Sequence, residues 1–188
     1  PWIILIAAAH LMLIHRARKT ALPTTIALTI LAFILIIYST YLTRSGILGD
    51  TSVHAFAGGL SSQLLVYLLT FTFASILLFF IRLRNIPTTK KDDNTSSREF
   101  WMFIASMVLF ISAFQITWFT SLPVINKVFG TNMAPPLDAI SLYNSWQTPL
   151  ALLIVFLVGI TQYLSYKKTD IKKLIKQIAF SLILAGVL

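Results

Sequence analysis

Residues 24 to 42 read TTIALTILAFILIIYSTYL, 19 positions without one charged side chain. As a helix rising 1.5 Å per residue they extend about 28 Å, close to the roughly 30 Å hydrocarbon core of a bilayer. Apolar residues occupy every face of that helix, without the 3.6-residue alternation of a segment half-buried in a soluble core. Three more runs have the same character: Gln63 to Ile81, Phe100 to Leu122 and Pro149 to Tyr166. Two partial runs, Pro1 to Ile14 and Leu174 to Leu188, flank them. The sequence therefore predicts an all-α, polytopic integral membrane protein with four complete and two truncated transmembrane helices.

Composition agrees. Of 188 residues, 57% are hydrophobic and 11% charged, against roughly a quarter charged in soluble domains. Nothing remains for a separate soluble domain, so residues 1–188 read as one membrane domain. The chain has no cysteine, which excludes disulfides, thiolate metal sites and iron–sulfur clusters carried by this chain itself. It begins at Pro1 without an initiator Met and stops within an apolar run, so it reads as a piece of a longer protein. Pro149 is expected in the first turn of its helix, where a missing N–H costs nothing. Ser96 followed by Glu99 reads as a capping box opening the Phe100 helix.

Thirteen of the fifteen Lys and Arg residues fall in alternate connections, leaving only Arg44 and Lys127 elsewhere. Basic residues are retained on the cytoplasmic side. The bias makes 15–23, 82–99 and 167–173 cytoplasmic linkers, and 43–62 and 123–148 outward loops. Tyr38, Tyr41, Trp118, Tyr143 and Trp146 on one side, with Trp101, Tyr163 and Tyr166 on the other, suit interfacial belts. The net charge of +9 does not indicate nucleic-acid binding. It is divided among three helix-end loops with no aromatic interleaving, which fits topology and attraction to anionic lipid.

Few residues can do chemistry. The six acidic residues form no carboxylate pair for hydrolytic or dinuclear metal work, and no phosphate loop, HExxH or G-x-S-x-G occurs. His10 lies within an apolar run, beside Ala7, Ala8 and Ala9. An ionisable residue at membrane depth is a functional candidate, the alternative being an imidazole bonded to a neighbouring helix. The three alanines would let a flat ligand or another helix approach. His15 is turned about 140° from His10 and reads as a rim residue. His54 lies in the outward stretch from Thr43 to Ala57. Arg44 has a planar fork suited to a carboxylate such as a haem propionate, or it snorkels to the interface. His10 and His54 stand at different heights and cannot share one iron.

The run Thr43-Arg44-Ser45-Gly46-Ile47-Leu48 through Ser52-Val53-His54-Ala55-Phe56-Ala57 resembles the T-R-S-G-[VI]-L…S-V-H-A-F-A signature of the CcmF family. That family sits within a haem-handling cytochrome c assembly superfamily including NrfE, CcsA and CcmC. Pro1-Trp2 followed by His10 is similar to the helix that follows the family's tryptophan-rich haem motif. Ser97-Arg98-Glu99 resembles the S-R-E that opens a later helix. Tyr143-Asn144 and Pro149-Leu150, after Pro135-Pro136, resemble its G-P-P-Y-[FY]-N…P-L stretch.

The resemblance implies a membrane subunit of cytochrome c biogenesis, part of a haem lyase, in the bacterial inner membrane with its functional loops facing the periplasm. It implies that His54 is an axial ligand of an outer-face haem and His10 of a transmembrane b-type haem, with no catalytic side chain. The implied partners are apocytochrome c with its C-x-x-C-H thiols, a haem chaperone, other maturation subunits and membrane lipid. The remaining haem ligands lie outside this chain, so it is not expected to be active alone. A transporter or a structural membrane fragment without haem are the alternatives. A transporter would break helices near the midplane, where only Gly159 is a candidate.

Overall fold

The computed structural model describes residues 1–49, 59–87, 89, 95–134 and 138–187. Among these residues seven helices follow in order: α1 (Trp2–Arg18), α2 (Leu22–Arg44), α3 (Ser61–Leu83), α4 (Arg98–Thr120), α5 (Leu122–Phe129), α6 (Ala139–Thr161) and α7 (Ile171–Val187). No strand occurs among the described residues. α2, α3, α4 and α6 are each 23 residues long and apolar enough to cross a membrane, about 35 Å of helix apiece. The protein is an all-helical, multi-pass membrane chain.

Contacts at the helix ends fix their directions. The end of α1 meets the start of α4 through Arg18 and Glu99, so those two run antiparallel. Tyr38, near the end of α2, meets Ser121 just beyond α4, so α2 and α4 run parallel. Arg98 opens α4 beside Ser165, which follows α6. One end of the bundle thus gathers Arg18, Arg98 and the segment 162–170, and is termed the basic end. The other gathers Tyr38, Ser45, Ser61 and α5, and is termed the charge-poor end.

α4 is the central helix, packed between α1 and α6, while α1 also packs on α2 and α2 on α3. Without a hydrophobic drive between helices in lipid, close backbone approach and interhelical hydrogen bonds do the holding. Ala7 and Ala8 provide that approach. Both are buried, and Ser106 of α4 donates to Met102 O at 2.9 Å and faces Ala7 O at 3.4 Å. Of the two partners the alanines would admit, a helix occupies the space at Ala7 and Ala8, and Ala9 faces outward. Ile4, Leu11 and Ile14 continue the seam against Leu28, Ala32, Met102 and Ala113. A second cluster joins Ala105 and Val108 of α4 to Leu157 of α6. Among the described residues α3 buries none of its own and leans on α2 alone, with Phe71 meeting Phe33 edge to face at 5.9 Å.

Three boundaries differ from the sequence reading. α6 begins at Ala139 instead of Pro149, so Pro149 lies inside it and not in its first turn. The earlier start is stabilised by an Asp138 cap, whose Oδ1 accepts from Ser141 N at 2.9 Å, and by Tyr143 and Gln147 packing on α4. Hydropathy does not register such contacts. The helix after Ser121 was also unforeseen. Pro123 sits in the first turn of α5, where proline is tolerated, and Gly130 ends the helix in the left-handed region at φ 67°. Finally, the cap of α4 is Ser97, not Ser96, its hydroxyl accepting from Phe100 N at 3.2 Å. The Glu99 carboxylate serves another purpose.

Candidate functional site

His10 is the middle residue of α1, about 12 Å from either end at 1.5 Å per residue. It lies half-buried at the flank of the α1 seam. Its Nδ1–H donates to Ile6 O, one turn earlier, at 2.8 Å. A carbonyl can only accept, so Nδ1 carries a proton, and Nε2 is the ring nitrogen left over as a donor to iron. This is how a backbone carbonyl orients a metal-ligating imidazole. Among the described residues no group of three or more His, Asp or Glu could hold a bare metal ion. A haem iron, held already by its porphyrin, needs only one or two axial donors, and His10 fits as one. His15 is directed elsewhere: its Nδ1–H donates to Thr20 O at 3.1 Å.

Arg44 lies exposed in the last turn of α2, at the charge-poor end. His54 lies outside the described residues. Tyr38 Oη–H donates to Ser121 Oγ at 2.6 Å, and Ser121 donates on to Thr117 O at 2.6 Å. On one side of Tyr38 a cavity of about 300 Å³ opens between the start of α1, α2 and α4, bounded by Trp2, Leu35, Ala113 and Thr117. On its other side a cleft of about 400 Å³ opens between α2, α3 and α5.

Two polar assemblies escaped the sequence reading. At the basic end Glu99 is only 2% exposed. Its Oε2 accepts from Arg18 Nε at 3.0 Å and its Oε1 from Thr20 Oγ at 2.5 Å. Thr20 stands between Lys19 and Ala21, both left-handed at φ 60° and 61°, a conformation costing about 1–2 kcal/mol for a residue with a Cβ. The Thr20–Glu99 bond holds that strained turn against α4. Beside it, Arg98 N donates to Ser165 O at 2.8 Å and Thr169 N to Ser96 O at 3.2 Å. The Arg98 guanidinium stacks 5.1 Å from the Tyr166 ring centre, a cation–π contact. The second assembly lies between α4 and α6. Ser112 Oγ donates to Gln147 Oε1 at 2.6 Å, and Gln147 Nε2 donates to Gln115 Oε1 at 2.5 Å and to Ser112 O at 3.3 Å. Gln115 is an amide inside an apolar span, and that was the available signal; Gln147 lies before the span that hydropathy marks.

The chain is 29% identical over 185 residues to the cytochrome c-type biogenesis protein CcmF of Pseudomonas fluorescens, which covers 95% of this chain and 26% of the relative. It is 32% identical over 162 residues to CcmF of Haemophilus influenzae, 82% of this chain and 24% of that protein. For CcmF of Escherichia coli the figures are 31% over 133 residues, 69% and 20%. No family model and no solved structure matches the chain. It spans about a quarter of the length of the first two relatives. Over most of its length, this is a CcmF-like cytochrome c biogenesis sequence.

Proposed function

We propose that this chain is the part of a cytochrome c biogenesis protein that handles haem within the membrane and at its outer face. The observation that carries the reading is the mid-helix imidazole of His10, with Nδ1–H fixed on Ile6 O and Nε2 free of that bond, in a chain similar to CcmF. His10 Nε2 would be one axial ligand of a b-type haem, the second coming from outside this chain. The haem supplies the iron chemistry, and the protein supplies ligation and orientation.

A second haem, the cargo, is held at the outer face. His54 would hold its iron and Arg44 would pair with a propionate. The cargo's vinyl groups are joined there to the Cys thiols of a C-x-x-C-H apocytochrome, after delivery by a haem chaperone and alongside other maturation subunits. Retention of basic residues on the cytoplasmic side supports an orientation with the basic end cytoplasmic. Segments 43–62 and 123–148 then face the periplasm from the bacterial inner membrane.

The test is the reduced-minus-oxidised visible spectrum of the whole protein purified from membranes. A b-type band should be present, and His10→Ala should remove it. An unchanged spectrum in that variant would discard His10 as a ligand. His54→Ala should keep the band and abolish cytochrome c maturation; normal maturation would discard His54.

A further inference from the structure

The cleft between the charge-poor ends of α2, α3 and α5 has an uneven lining. Its floor is apolar, with Leu65 and Leu68 of α3 and Val124 of α5. Its polar lining includes Tyr41, Ser61, Ser62 and one cation, Lys127. Among the described residues no acidic side chain lines it. A bare inorganic anion would gain nothing from the floor, and a neutral amphiphile would gain nothing from the cation. The complement of this lining is an anion carried at the edge of an apolar body. The volume, about 400 Å³, is within the usual range of small-molecule sites.

The cation is carried on a fixed support. Asn126, its neighbour in α5, accepts at Oδ1 from Thr131 Oγ at 2.7 Å and from Met133 N at 2.9 Å, and donates from Nδ2 to Met133 O at 2.7 Å. These bonds tie residues 131–133 back onto the end of α5, which closes at Gly130. The turn that closes the helix bearing Lys127 is therefore fixed, α5 itself meets α4, and a helix positions a binding group better than a loop does. The cleft also takes in Ser45 and Ile47, from the stretch that carries the family resemblance and continues towards His54.

We propose that this cleft receives the propionate edge of the cargo haem, with Lys127 Nζ donating to a propionate carboxylate while the porphyrin lies against Leu65, Leu68 and Val124. The assignment rests on the haem-handling reading above and adds a binding residue to it. Lysine suits the task as a compact charge on a flexible stem, able to follow a mobile carboxylate without the geometric demand of a bidentate fork.

The experiment uses the whole protein in lipid nanodiscs, titrated with protoporphyrin IX and with its dimethyl ester, and read by porphyrin fluorescence. The iron-free probe makes the result independent of His10 and His54. Lys127→Gln should weaken binding of the free acid about tenfold, the size of one charge-assisted hydrogen bond, and leave the ester unchanged. Lys127→Arg should restore the free acid. Leu65→Trp, which fills the floor, should weaken both ligands. Equal free-acid affinity in wild type and Lys127→Gln would overturn the proposal while a b-type spectrum kept the wider reading. Loss of copurifying phosphatidylglycerol in Lys127→Gln with porphyrin affinity unchanged would assign the cleft to lipid phosphate and overturn it as well. Absence of both porphyrin binding and haem from the wild type would remove the two readings together.

Discussion

At the basic end, the buried Glu99 carboxylate is bonded from two sides, and the backbone of 96–98 is bonded to the backbone of 165–169. At the charge-poor end the bundle is joined across helices by Tyr38 and Ser121, and beside that bond two cavities open. One end spends its polar groups on joining helices, while the other leaves hydroxyls and a cation facing open space. The difference teaches where each kind of function can reside. Cavities occur at the basic end as well, one of about 280 Å³ beside Thr20 and Glu99. The ends therefore differ in how their polar groups are used: at one they hold the helices in register, at the other they are left to meet a ligand.

The largest effect is expected from breaking the closed end. Glu99→Ala would remove the buried carboxylate that accepts from both Arg18 and Thr20 and release the strained turn at Lys19 and Ala21. Removing one partner of a buried pair costs about 3–5 kcal/mol. Unfolding of the detergent-solubilised protein by increasing sodium dodecyl sulfate would show the loss. A curve coincident with wild type would mean that the basic end does not hold the bundle. Within this end the cost should be asymmetric: Arg98→Ala, which loses the Tyr166 stacking contact, should cost only about 1 kcal/mol.

Between the two ends, the Ser112–Gln147–Gln115 ladder sharpens the comparison, because it joins α4 to α6 nearer the charge-poor end. Gln147→Leu should cost about 1 kcal/mol, typical of interhelical hydrogen bonds in membranes, and leave the buried Gln115 Oε1 without its donor. Adding Gln115→Leu should recover most of that loss, since replacing both partners by apolar groups removes the unpaired amide. Additive losses in the double variant would mean that the two amides act independently.

How much of this was legible in the sequence follows from what each signal records. The α2, α3 and α4 spans were placed to within about two residues at each end, because hydropathy measures the cost of exposing a segment to water, and these segments are apolar throughout. The first ten residues of α6 were missed because Tyr143, Asn144 and Gln147 make that stretch look like a loop, and only their partners on α4 make it a helix. Glu99 was read as part of a cytoplasmic linker for a similar reason. An acid next to Arg98 looks solvated until α1 brings Arg18 and Thr20 onto it from about eighty residues away. His10 was legible because an ionisable residue in an apolar run needs no partner to stand out, whereas its hydrogen bond to Ile6 required the rotamer. Lys127 was visible only as an exception to the charge bias. Its cleft depends on α5, whose eight residues are too few for a spanning signal and follow α4 after a single residue.

The smallest expected effect tests the open end directly. Tyr38→Phe removes one hydroxyl from the bond to Ser121, yet Ser121 keeps its own bond to Thr117 O, so no buried acceptor is stranded. The cost should be about 0.5 kcal/mol, well below that of Glu99→Ala, and measurable only as a slight shift of the same unfolding curve. The ring itself is a different matter, because Tyr38 borders both the α1–α2–α4 cavity and the α2–α3–α5 cleft. Tyr38→Ala takes away that shared wall. It should enlarge the space open to a porphyrin and loosen the fit of the free acid and the ester alike, a pattern that Lys127→Gln cannot produce. If Tyr38→Phe proved as damaging as Glu99→Ala, the charge-poor end would be as firmly knotted as the basic end, and its cavities would be gaps in a closed structure instead of openings for a ligand.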